Sequence, residues 1–278
     1  MRTECTIALL GVAVLVSTTA AVHGQAREGA GKSPAPLGRL SDGQPDVQGI
    51  WGAVLAGSVS LTNPISVNED FEKQNVRRPS RIIDPPDGLV PYQPWAAALR
   101  NKQAIDYAQP TRPEHIDTQH RCLLAGVPRL YTIVPTYKIV QTPGQIVFTW
   151  SEYHAYRVIP LDGRPHVPSN VKLWMGDARG SWEGNTLVVD TSNVIGARLT
   201  FTGDFYSDNA HIVERFTFPN ADRMIYEATI DDPTVFTRPW TMRAEQSRRP
   251  NEETWESACY EGMVNPEEFL LKPDQVPR

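Results

Sequence analysis

Apolar and polar side chains alternate with period two through much of the chain beyond residue 130. In residues 145–159 the even positions Ile146, Phe148 and Trp150 are apolar, and a strand sends successive side chains to opposite faces. Continued in register, that face carries Glu152, His154 and Tyr156. Residues 130–141, rich in Ile, Val, Thr and Tyr, form the partner strand. Thr142-Pro143-Gly144 turns the chain between them, since proline fixes one φ and glycine accepts the positive φ that follows. A second hairpin is predicted from residues 211–218 and 224–231 about Pro219-Asn220-Ala221-Asp222. Further strands are expected at 46–54, at 171–175 and at 181–191, the last turned at Glu183-Gly184-Asn185.

Helical composition is confined to 95–108, which follows Pro94 and contains Ala96-Ala97-Ala98-Leu99. Residues 63–94 and 109–128 lack periodicity and read as long loops. The 24 prolines argue against long helices elsewhere. The expected fold is a single all-β, mainly antiparallel domain over 46–278, a barrel or a sandwich. No repeat of fixed period suggests a propeller.

The chain starts differently. Arg2 precedes a short apolar stretch, 7–16, then small residues and Gly24-Gln25-Ala26. That is the pattern of a secretory signal peptide over 1–26, with a Gly/Pro/Ser-rich flexible leader over 27–45; an uncleaved anchor is the alternative. No later segment is long and apolar enough for a transmembrane helix. A periplasmic or secreted product is expected. Beyond Cys5, Cys122 and Cys259 remain, and an even pair in an oxidising compartment suggests a disulfide. The formal net charge of −5, with dispersed basic residues, argues against a nucleic-acid partner.

Several strings carry a resemblance. They are Asp162-Gly163-Arg164-Pro165-His166, the run Gly180-Ser181-Trp182-Glu183-Gly184-Asn185-Thr186-Leu187-Val188-Val189-Asp190-Thr191, Glu214-Arg215-Phe216, Asp231-Asp232-Pro233, Arg238-Pro239-Trp240-Thr241 and Ala258-Cys259-Tyr260-Glu261-Gly262. Together they resemble a family of exported bacterial proteins of uncharacterised function, in which Asp is usual where this chain has Asn185. The resemblance implies export and one architecture, and no chemistry. Gly49-Ile50-Trp51 is similar to the Gly-x-Trp of the first strand in calycin (lipocalin-like) barrels, which favours a barrel over a sandwich.

Glu214 is the sharpest candidate for chemistry. It interrupts the apolar face Ile212, Phe216 and Phe218, and a lone carboxylate there is costly unless paired or protonated. As a general acid or base it would work with His154 and Tyr156 across the cavity. As a structural group it would pair with an arginine such as Arg157, Arg179 or Arg198. One bulge before Tyr153 would turn Glu152, His154 and Tyr156 outward. His166 is placed at a strand end, where loops gather around a barrel mouth. Trp150, Trp174, Trp182 and Trp240 are candidate cavity walls, with Glu152, Arg157 and Arg179 as polar contacts. Walker, Rossmann and Gly-x-Ser-x-Gly motifs are absent, as are Cys-x-x-Cys and His-x-x-x-His pairs. No metal or other cofactor is expected.

Three functions stay open. The first is an exported barrel binding a small, partly apolar ligand in an aromatic-lined cavity. The second is a cofactor-independent acid/base enzyme (isomerase, lyase or hydrolase) using that cavity. The third is a structural or interaction protein of the cell envelope.

Overall fold

The alternating segments pair into one large antiparallel sheet. The computed structural model describes residues 35–56, 60–64, 78–134, 136–259, 265–272 and 275. Residues 1–26, read above as an export signal, and the stretch 65–77 lie outside them. The strands are β1 (Gly49–Ala53), β2 (Ile82–Asp84), β3 (Tyr137–Thr142), β4 (Gln145–Trp150), β5 (Tyr156–Pro160), β6 (Asp177–Glu183), β7 (Thr186–Ser192), β8 (Ala197–Arg198), β9 (Phe205–Tyr206), β10 (His211–Thr217), β11 (Arg223–Asp231) and β12 (Trp240–Arg248). Among the described residues, two α-helices join them, α1 (Pro94–Ala108) and α2 (Leu130–Ile133). The main sheet runs β5-β4-β3-β1-β12-β11-β10-β7-β6, and β8 and β9 pair separately. β1 and β2 share the edge of β12 that β11 leaves free, β1 against Gln246–Arg248 and β2 against Thr241 and Met242.

The sheet curls into a nearly closed barrel. Its end strands meet without a backbone ladder between them. A Cβ built on Gly180 of β6 would stand 2.7 Å from both Ile159 Cγ2, on β5, and Leu161 Cδ2, just after it. Glycine therefore lets the two ends approach.

Alternation decides what faces inward. Ile146, Phe148 and Trp150 of β4, Ile212, Glu214 and Phe216 of β10, and Met224, Tyr226, Ala228 and Ile230 of β11 are all buried. Rings fill the middle. α2 places Tyr131 among Tyr137, Phe148, Trp150, Phe216 and Tyr226, with centroids 4.7–5.5 Å away.

The helix at 94–108 and both hairpins form where the pattern put them. Four expectations need correction. Residues 130–141 are not one strand: Leu130–Ile133 coil into α2, where all four side chains are buried and burial outweighs their strand propensity. Residues 145–159 are two strands, because Tyr153 (φ 62°) and His154 (φ 49°) adopt left-handed backbone between β4 and β5. Residues 171–175 form no strand beyond one parallel bridge, Leu173 to Val194. The end of the supposed flexible leader is docked: the Ala221 N–H donates to the Ala35 carbonyl at 2.9 Å, and Trp182 Nε1–H to Gln44 Oε1 at 2.9 Å.

Cys122 and Cys259 form a disulfide, tying the irregular segment before α2 to the C-terminal tail. Among the described residues, no helix is long and apolar enough to cross a membrane.

Candidate functional site

The break between β4 and β5 decides which side chains enter the barrel. Beyond it the odd positions face inward, so Arg157, directly across from Phe148, is buried. His154 and Tyr156 face out, and Tyr156 is 67 % exposed. The structure therefore does not bring His154 or Tyr156 to Glu214, which is wholly buried.

Arg157 takes their place. Its Nη1 donates to Glu214 Oε1 at 3.0 Å and to the Tyr131 hydroxyl at 3.1 Å. Its Nη2 donates to Glu214 Oε2, and to Thr191 Oγ1 at 2.6 Å. The hydroxyls of Tyr226 and Thr191 donate to Oε1 and Oε2, each at 2.9 Å. Four donors occupy the carboxylate, which leaves it little room to contact a substrate. Burial raises the pKa of the Tyr131 and Tyr226 hydroxyls well above the ordinary value, so both stay protonated. Burial alone would lower that of Arg157, but Glu214 and Tyr131 more than reverse it and hold the guanidinium charged. The paired reading of Glu214, with Arg157 as partner, is the one realised.

Outside the barrel, at the joint between β5 and β6, lies a cleft of about 360 Å³. Tyr156, Arg157 and Val158 of β5 form one wall, and Leu173, Trp174 and Met175, which lead into β6, form the other. Four candidate residues thus meet here: His154, Tyr156, Arg157 and Trp174. Val158 and Leu173 are each 40 % exposed. Large apolar side chains gathered on a concave surface mark binding sites more often than scattered exposure does. Tyr153, with its left-handed backbone, also lines the cleft, and such conformations recur at ligand sites. His154 belongs as well to a neighbouring cleft of about 340 Å³, with Trp150 and Trp255.

The remaining candidates lie apart. His166 bridges two carboxylates, with Nδ1 2.9 Å from Asp177 Oδ2 and Nε2 2.9 Å from Asp190 Oδ1. Arg179 Nη1 donates to Asp177 Oδ1 at 2.7 Å, and His211 Nε2 lies 3.0 Å from Asp190 Oδ2. Burial alone would raise the pKa of Asp177, but the Val167 N–H, His166 and Arg179 hold it below the usual carboxyl range. Trp182 packs on Phe218 and Trp240 on Phe236, in the body of the fold. Glu152 is half-buried in the turn, and burial raises its pKa.

Sequence reasoning missed Tyr131, Thr191 and Tyr226 around the ion pair, and Tyr153 and Met175 in the cleft. Tyr226 was within reach, on the inward face of a correctly placed hairpin. Tyr131 was not, because its helix interrupts a segment of strand composition.

Among the described residues, no group of three His, Cys, Asp or Glu side chains is arranged to hold a metal ion. Comparison with known proteins finds no matching family model, curated protein or solved structure.

Proposed function

We propose that this is an exported protein that binds a small, partly apolar ligand in the cleft between β5 and the segment leading into β6, outside the barrel. The observation that carries this reading is the gathering of the exposed Tyr156, Val158 and Leu173 and the half-buried Trp174 around one concavity. Burying that surface against a ligand contributes about 25 cal/mol per Å² of apolar area. The N-terminal apolar stretch and the disulfide support export. The carboxylate of Glu214, enclosed by four donors, favours binding over acid/base turnover.

A second reading, a structural or interaction protein of the cell envelope, is favoured by one observation: rings fill the barrel interior.

The test is mass spectrometry of small molecules that co-purify with protein recovered natively from an exporting host. The same is done for Trp174→Ala and Tyr156→Ser. A ligand retained by the wild type and lost from both variants is the expected result. A ligand held equally by all three, or none in any, would overturn the proposal.

A further inference from the structure

Trp174 lines a second cleft, of about 480 Å³, whose wall is basic. Arg121 and Arg198 lie there, with Thr118, Gln103 and Tyr206. Arg121 is set by a tight loop: the Arg121 N–H donates to the Asp117 carbonyl at 3.2 Å, and the Leu123 N–H to the Thr118 carbonyl at 2.9 Å. The next residue, Cys122, has left-handed backbone (φ 58°) and is bridged to Cys259. Arg198 stands on β8.

The local charges do not cancel. Asp117 pairs with Arg129 through Oδ1, 2.8 Å from Nη2, with both side chains buried, while its Oδ2 has no hydrogen-bond partner. Asp106 is committed to Lys102 at 2.5 Å, with His115 Nε2 3.8 Å from it on the other side. Glu114 faces Arg112 at 3.4 Å. Among the described residues, Arg121 and Arg198 have no carboxylate within ion-pair distance; Arg198 Nη2 donates to the Glu114 carbonyl at 3.4 Å. Arg121 Nε and Arg198 Nη1 are buried with no hydrogen-bond partner. Burial and the nearby Arg121 and Arg129 guanidiniums lower the pKa of Arg198, against the opposing pull of Asp117. Like charges held together in a half-dry cleft repel unless a counter-charge joins them. Guanidinium forks suit planar or tetrahedral oxyanions.

We infer that this second cleft is an anion subsite, in which Arg121 and Arg198 take the carboxylate or phosphate head of a ligand whose apolar body lies against Trp174. The inference rests on the proposed ligand-binding reading and makes it specific: the ligand is an amphipathic anion.

Titration calorimetry of the purified, disulfide-bonded protein tests it with three probes: decanoate, 1-decanol and inorganic phosphate. Decanoate should bind saturably, and about tenfold or more tighter than 1-decanol, since a hydrogen bond to an ionised partner is markedly stronger than a neutral one. Arg121→Met and Arg198→Met should each remove that advantage, while Arg121→Lys retains part of it. Thermal melts establish that each variant is folded. If Arg198→Met does not fold, Arg121→Met decides alone. Equal binding of decanoate and decanol, unaffected by the arginine variants, would sink the anion subsite and leave the apolar cleft standing. Arginine-dependent binding of phosphate, with decanoate no tighter, would support the subsite and remove the apolar cleft. Binding of neither anion overturns the inference.

Discussion

Arg157 and Glu214, 57 residues apart in the chain, meet as a two-point ion pair in the middle of a barrel otherwise packed with rings. Both side chains are out of solvent. Removing one charge strands the other in a medium that solvates it poorly, so Glu214→Gln should cost about 3–5 kcal/mol of stability. Denaturant unfolding measures this. Replacing both, as Arg157→Met with Glu214→Leu, should recover much of the loss. A Glu214→Gln protein as stable as the wild type would show that the pair is not what holds the interior.

The bridge between Cys122 and Cys259 spans 137 residues. Closing so long a loop restricts the unfolded chain, and the loop-entropy model gives about 5 kcal/mol as an upper value. Peptide mapping without reductant should yield one cross-linked peptide, and reduction should lower the denaturation midpoint. Two thiols that alkylate freely in the folded protein would refute the bridge.

Acid should act through Asp177. Its carboxyl is held below the unfolded value of 3.8. The stability it contributes is therefore present above that pH and is lost as pH falls through the lower, folded value. Asp177→Asn should be less stable than the wild type near neutrality, and the gap should narrow on acidification below pH 3.8. Melting temperatures of both proteins across the acid range check this. A gap independent of pH would exclude the carboxylate as its source.

Gly180 bears on the joint of the sheet. Side chains of Ile159 and Leu161 already occupy the space a Cβ would need. Gly180→Val should cost about 1–3 kcal/mol through overpacking. Amide exchange should rise at Ile159 and Leu161 more than in β11, which is paired on both sides. Uniform exchange changes would place the strain elsewhere.

How far the sequence reached can be traced through particular residues. The hairpin β10–β11 was legible because Ile212, Phe216, Met224, Tyr226 and Ile230 alternate cleanly. The demand that Glu214 find an inward partner followed from the same alternation, and Arg157 was among the partners considered. The partner's face was not legible. A strand pattern carries across a turn only if no residue leaves the ladder, and Tyr153 and His154 leave it with backbone that their side-chain types do not announce. β12 escaped notice because its inward residues include Ala244 and Gln246, which give alternation little contrast, although it lies at the centre of the sheet. The clefts were legible only in part. Trp174, Tyr156 and His154 were singled out for other reasons, and what brings them together is the curl of the sheet, which returns β6 and the segment before it to β5 although the two strands stand at opposite ends of the strand order.

That meeting has a consequence for behaviour in crowded surroundings. An open sheet ends in two rows of unpaired N–H and C=O groups, each able to template a strand from another molecule. Here the two rows belong to β5 and β6, which are turned toward each other. Each edge is the other's cover, so neither needs the charges, prolines or bulges that usually blunt such edges. Protection of this kind is shared, and it fails on both sides at once: a change that parts β5 from β6 frees two adhesive edges together. Self-association should then rise with the square of protein concentration, even where most of the barrel remains folded.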